Sequence, residues 1–300
     1  MKIQEVCKRY KVSSSMFRCP LCYSKTKVET SSVVCKKNHC FDISKYGYIN
    51  FLPSQQQTKY TKELFESRRY IFEKGLYNPL KESIVQLLKK YCSGTSKVNM
   101  LDIGCGEGFY SRSLIETVSN LDVYAMDNSR DAIVLGAKKD NNIKWFIGDL
   151  ANIPLASETM DILLDIFTPS NYSEFSRVLK DTGYLFKIVP SKNYLKELRT
   201  LANEQLLNKE YSNLLVVQYF KEHMQCVEML HLEYSMPVSN EDIDNLYLMT
   251  PMMFNVEKEK LDLSNISSIT LDFDILVGKK KPEVHKKHKV RDMKNMNIKR

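Results

Sequence analysis

The stretch LDIGCGEG, residues 101–108, decides the fold. It ends a short apolar run, VNMLDIG (98–104), and an apolar run closed by glycines reads as a strand entering a turn. Asp102 lies at the strand end, and Gly104, Gly106 and Gly108 follow at every second position. A dinucleotide fingerprint needs G-x-G-x-x-G, whose third glycine would fall at 109, which is Phe. The pattern here is G-x-G-x-G preceded by an acid, so hydride transfer is the weaker reading.

Further along, the same grammar repeats. LDVYAMD (121–127), IKWFIGD (143–149), MDILLDIF (160–167) and GYLFKIV (183–189) read as strands. SRSLIETV, SRDAIVLGAKK and YSEFSRVLK between them carry apolar residues at spacings of three and four. Alternation of this kind predicts a doubly wound α/β sheet, whose ligands sit at the carboxyl ends of the strands. Asp127 and Asp149 end the second and third strands, so three acids occupy three successive strand ends; helix capping is the bland alternative for such acids. Segments 230–238 and 268–280 read as two closing strands with a helix at 240–249, and KNYLKELRTLANEQLL (192–207) as one amphipathic helix near the substrate entrance. His223 and His231 have no partner motif and are read as structural.

The front of the chain follows a different logic. Cys19 and Cys22 form a C-x2-C knuckle, and Cys35, His39 and Cys40 follow. Zinc takes four tetrahedral thiolate or imidazole ligands, and two tight turns can supply them. Five candidates compete for four places: His39 is the expected fourth ligand, with Cys40 the alternative. No position looks open for a catalytic water, so the zinc is expected to be structural and to supply folding energy that few apolar residues can provide there. The eight cysteines come without a secretory signal, which argues against a disulfide framework.

Three hundred residues, 43% of them hydrophobic, suffice for one large domain and a small appendage. No apolar run approaches the roughly eighteen residues of a membrane span, and the chain reads as soluble and cytoplasmic. The net charge of +8 is carried by residues 279–300, where ten Lys and Arg face Glu283 and Asp292. That segment is expected to be a solvated, disordered tail able to approach phosphate backbones. The expected organisation is 1–54 zinc-binding module, 55–96 connecting helices, 97–278 α/β domain, and 279–300 tail.

The glycine pattern resembles motif I of the class I S-adenosylmethionine (AdoMet)-dependent methyltransferases. The ordered set of the zinc knuckle, FDISKYGYINFLP (41–53), SRRYIFEKGLYNPL (67–80), LDIGCGEGFYSRSL (101–114), IFTPS (166–170), KNYLKELR (192–199) and LYLMTP (246–251) resembles, more narrowly, the bacterial 23S ribosomal RNA (guanine-N1)-methyltransferases. The resemblance implies a Rossmann-like seven-stranded class I fold with a small N-terminal zinc-binding module, which methylates guanine N1 in a hairpin loop of large-subunit ribosomal RNA. It implies Cys19, Cys22, Cys35 and His39 as zinc ligands, and Asp102, Gly104, Gly106, Gly108, Asp127 and Asp149 around AdoMet, with Asn128 and Leu150 bordering that pocket. It also allows a homodimer.

Guanine N1 carries a proton, so a general base or an electrostatic partner for O6 is expected, and Asp165 is the candidate carboxylate. Phe167 and Tyr172 are candidates for sandwiching the splayed base. Arg68, Arg69, Lys36 and Lys37, with Lys25 and Lys27, are candidates for holding RNA phosphates. A small-molecule AdoMet methyltransferase and a non-catalytic zinc-containing RNA-binding protein are the rival readings.

Overall fold

A computed structural model describes residues 3–53, 61–140, 142–206 and 211–282. In chain order its helices and strands are α1 (Ile3–Val12), β1 (Thr26–Glu29), β2 (Ser32–Cys35), β3 (Cys40–Asp42), β4 (Tyr48–Asn50), α2 (Lys62–Glu73), α3 (Asn78–Tyr91) and β5 (Val98–Ile103). They continue as α4 (Phe109–Thr117), β6 (Leu121–Asp127), α5 (Arg130–Lys139), β7 (Lys144–Ile147), β8 (Met160–Ile166), α6 (Tyr172–Val178) and β9 (Leu179–Pro190). The last are α7 (Lys196–Ala202), α8 (Leu214–His223), β10 (Met224–Pro237), α9 (Asn240–Met249) and β11 (Ser268–Lys280).

The main sheet has the order β10-β11-β9-β8-β5-β6-β7-β4. Strands β4 to β9 within it pair in parallel, and β10 and β11, joined through α9, run antiparallel and close one edge. The chain crosses from β5 to β6 on one side and returns to β8 on the other, so the switch in strand order falls at β5, where the glycines lie. Local chemistry sets the boundaries. The Ser129 side chain accepts from the Ala132 N–H at the start of α5, Asn171 caps α6 in the same way, and Ser239 with Asp242 forms a full capping box on α9.

Seven of these strands come from residue 98 onward, as expected. The eighth, β4, comes from the N-terminal segment and pairs in parallel with β7 through Tyr48 and Trp145. Phe17, Phe51 and Phe146 meet ring to ring, and the Tyr10 hydroxyl lies 2.8 Å from the Trp145 carbonyl and 2.9 Å from that of Gly47. The front of the chain is therefore continuous with the main core and its sheet. The hairpin β1–β2 and strand β3 form a separate three-stranded sheet that packs on the same core through Val33 and Phe41.

Two boundaries differ from expectation. The helix expected over 192–207 is confined to Lys196–Ala202, because Leu195 adopts a left-handed φ of 50° and gives its N–H to the Thr270 carbonyl at 2.8 Å. The strand expected over 268–280 is present as β11, so Lys279 and Lys280 belong to it and do not begin the tail expected from 279; Lys280 pairs with Asp181 at 2.8 Å. The rest of the expected basic tail, 283–300, lies outside the described residues. Among the described residues no helix is long and apolar enough to cross a membrane.

Candidate active site and metal cluster

After β5 the backbone turns through left-handed conformations at Gly104, Gly106 and Gly108. The glycines at the two ends of this loop are packing glycines: a Cβ on Gly104 would collide with the Thr168 side chain, and one on Gly108 with the Trp145 ring. Gly106 gives its N–H to Asp127 Oδ2 at 2.8 Å, and Ser129 gives its own to Asp127 Oδ1 at 2.8 Å. Asp127 is thus fixed by two backbone donors, with lone pairs on both oxygens left for a ligand. Burial pushes its carboxyl above the usual range. Asp102 accepts from Ser111 Oγ at 2.6 Å, and burial raises its carboxyl to about 7.

These residues open onto one cavity of about 1360 Å³. Asp102, Gly104, Asp127, Asn128, Asp149 and Leu150 all line it, and Gly106 faces the lining residues Arg68 and Phe65. Phe167, Tyr172, Arg68, Lys187 and Tyr194 line the same volume. Phe167 is held at φ 57°, a strained conformation for an aromatic residue, with its ring stacked on Phe273. Tyr172 is buried and stacks on His223, and its hydroxyl has no hydrogen-bond partner.

Asp165 is wholly buried and lies behind the cavity wall. Its Oδ2 accepts from Ser170 Oγ and from Lys187 Nζ, both at 2.9 Å. Lys187 gives a further hydrogen bond to the Thr168 carbonyl at 3.0 Å. The ionisable group that this part of the sheet offers to the cavity is therefore the lysine. Burial raises the Asp165 carboxyl, and Lys187 pulls against that rise. Lys187 was missed in the sequence, although a lone lysine inside the apolar run GYLFKIV was a usable signal.

The two arginines of α2 diverge. Arg68 reaches the cavity, whereas Arg69 turns to buried Glu107, 3.5 Å away, whose carboxylate also binds Arg112 at 2.9 Å. Arg69 and Arg112 thereby brace the glycine loop from outside.

At the front, Cys19, Cys22, Cys35 and His39 bring their ligand atoms within 4.8 Å of one another. Cys19 Sγ and Cys35 Sγ lie 3.4 and 3.5 Å from His39 Nδ1, and Cys22 Sγ lies 3.6 Å from Cys35 Sγ. For zinc bonded at ~2.3 Å to sulfur and ~2.0 Å to nitrogen, tetrahedral edges are roughly 3.5–3.8 Å, so the donor set fits that ion. Each knuckle contains a left-handed residue, Tyr23 in the first and Asn38 in the second. Cys40 falls in β3 with its side chain exposed, outside the cluster. Lys36 and Lys37 are exposed on the second knuckle.

Residues 17–60 match the family described as "RlmA, N-terminal", and residues 100–183 match a "Methyltransferase domain" family. YxjB of Bacillus subtilis (strain 168), named provisionally as a 23S rRNA (guanine-N(1)-)-methyltransferase, is 36% identical over 278 residues, covering 90% of this chain and 99% of that protein. The 23S rRNA (guanine(748)-N(1))-methyltransferase of Streptomyces fradiae is 22% identical over 274 residues, covering 88% and 97%. Among solved structures, MccD protein aligns with a TM-score of 0.45 at 16% identity, over 67% of this chain and 97% of its own. With more than a third of its residues shared along nearly the whole of the Bacillus protein, this chain belongs to the family of 23S rRNA (guanine-N1)-methyltransferases.

Proposed function

We propose that this chain acts in the cytoplasm, transferring a methyl group from AdoMet to N1 of a guanine in a hairpin loop of 23S ribosomal RNA. The observation that carries this reading is the single cavity that joins the strand-end acids to Lys187 and the aromatic residues around it. At about 1360 Å³ it exceeds the ~300–1,000 Å³ typical of a single-ligand pocket, which leaves room for a nucleobase beside the cofactor.

AdoMet, when bound, supplies the sulfonium methyl. Asp127 is assigned to the ribose hydroxyls, Asn128 to the same rim, Asp149 to the adenine amino group and Leu150 to the ring face. Asp102, Gly104, Gly106 and Gly108 shape the loop around the remainder. Guanine N1 becomes nucleophilic only after losing its proton, here to bulk solvent, and the charge then spreads onto O6. A fixed ammonium on the cavity wall lowers the cost of that loss, because it is already oriented when the charge develops. We assign this role to Lys187, with Asp165 as the residue that positions it. Phe167 and Tyr172 are assigned to the flanks of the splayed base and Arg68 to its phosphate. Cys19, Cys22, Cys35 and His39 are assigned to a structural zinc that holds Lys36 and Lys37 against the hairpin. The chain is also read as a homodimer, which sedimentation velocity tests.

The test is incubation with labelled AdoMet and unmodified large-subunit RNA, followed by primer extension, since methylation at N1 blocks base pairing. One reverse-transcription stop at a loop guanine is expected. Label that enters mononucleotides as readily as RNA, or that produces no stop, overturns the proposal.

A further inference from the structure

On the face of the β10–β11 ribbon opposite Leu230 and Leu232, four polar side chains meet in a square. His231 lies directly across from Asp274, and Glu233 directly across from Asp272. The alternate residues of β10, Leu230, Leu232 and Tyr234, pack into the core on the opposite face. Like charges directly opposite in an antiparallel pair repel, so positive charge beside the Glu233–Asp272 pairing stabilises it, whether from a protonated His231 or from a bound cation.

The details indicate where that cation sits. Asp272 is buried, with 1% of its surface exposed, and its Oδ2 accepts the Asn193 N–H at 2.6 Å. Its Oδ1 has no hydrogen-bond partner and points at His231 Nε2, 3.5 Å away. His231 Nδ1 donates to Asp274 Oδ1 at 2.9 Å, and Asp274 is itself held by Asn213 Nδ2 at 2.7 Å. A carboxylate that fixes one ring nitrogen in this way leaves the lone pair of the other for a metal. Glu233 Oε2 is 3.8 Å from the same Nε2. Ligand atoms bonded at ~2.0–2.2 Å to one tetrahedral ion stand roughly 3.3–3.6 Å apart, and half-exposed Glu233 has the freedom to close the small difference. Arg199, whose charge also reaches Asp272, is occupied by the carbonyls of Lys192 and Tyr194.

We propose that His231, Glu233 and Asp272 bind one divalent transition-metal ion, with Asp274 orienting the imidazole and a fourth position open to solvent. Imidazole with two carboxylates suits zinc-class and manganese-class ions, in contrast to the thiolate-rich cluster at the front of the chain. The ion clamps the ribbon to the loop after β9, because Asn193 bonds Asp272 through its backbone and Glu233 through its side chain at 3.1 Å. The next residue, Tyr194, lines the cavity.

The proposal is tested on full-length protein whose cysteine cluster is loaded with zinc, titrated with Co²⁺ and followed by visible absorption. One equivalent is expected to bind with weak d–d bands and no thiolate-to-cobalt charge transfer. His231→Asn and Glu233→Gln each weaken that binding by about tenfold or more. Both side chains are partly exposed, so either variant keeps the test alive if the other misfolds. No binding below millimolar Co²⁺, charge-transfer bands alone, or equal affinity in the parent and both variants overturns the proposal; tail histidines would give the last result.

Discussion

Single buried charges set the sharpest expectations. Asp102 has a folded-state carboxyl near 7 against an ordinary value of 3.8, so the folded chain holds this proton where the unfolded chain has lost it. Its contribution to stability is complete below pH ~4 and is lost as pH rises toward 7, with a ceiling of about 4 kcal/mol. Asp127 and Asp165 shift in the same direction. In the absence of AdoMet, Asp102→Asn is therefore expected to raise stability at pH 8 relative to the parent and to flatten the pH 4–7 slope; urea titrations across that range measure it. Lys187 supports a second expectation. Lys187→Met should cut methylation by roughly 10²–10³, and by stranding Asp165 it should cost about 3–5 kcal/mol of stability. The double variant Lys187→Met/Asp165→Leu should regain most of the stability and none of the rate. Recovery of rate in the double variant would place the chemistry elsewhere.

At the scale of elements, what could be read beforehand followed from how locally each feature is encoded. Strands β5, β6 and β7 are apolar runs closed by glycine or acid, so their ends, and with them Asp102, Asp127 and Asp149, were legible. Strand β4 has only three residues, and what stabilises it is Trp145 and Phe146 almost a hundred positions away, so no local pattern announced it. The His231 square was hidden for a related reason. H-L-E in β10 and D-F-D in β11 each show the alternation of a half-exposed strand, but chemistry appears only once the register brings 231 opposite 274. The helix expected over 192–207 failed because a tertiary hydrogen bond to Thr270 holds Leu195 out of helical geometry. The glycine loop shows the converse, a local pattern whose reason is tertiary. Gly108→Ala meets both a left-handed φ of 75° and the Trp145 ring, so it should lose more than the ~1–2 kcal/mol of backbone strain. Thermal melts and AdoMet calorimetry should fall together; a soluble variant with unchanged AdoMet affinity would show that Trp145 can move aside.

For the whole molecule, the issue is whether the front of the chain can be removed. A knuckle that merely decorated a catalytic domain would leave that domain intact when deleted. Here β4 extends the main sheet, Phe17 and Phe51 seal Phe146 and Tyr124, and Tyr10 reaches the Trp145 carbonyl. Deletion of residues 1–53 would expose a sheet edge and an aromatic cluster at once, so the truncated chain is expected to aggregate and bind no AdoMet. Cys19→Ser is a much smaller injury. It opens the metal cluster, but the contacts that tie the front of the chain to the main sheet are made by Tyr10, Phe17, Phe51 and β4 and not by the sulfurs. The variant should therefore lose zinc and RNA methylation while AdoMet still binds within about threefold of the parent, a change worth less than ~1 kcal/mol. Zinc content, methyl incorporation and calorimetry on one preparation separate the outcomes. Methylation surviving the loss of zinc would make the cluster dispensable, whereas AdoMet binding lost along with zinc would mean that the metal holds the main sheet as well as the RNA-facing tip.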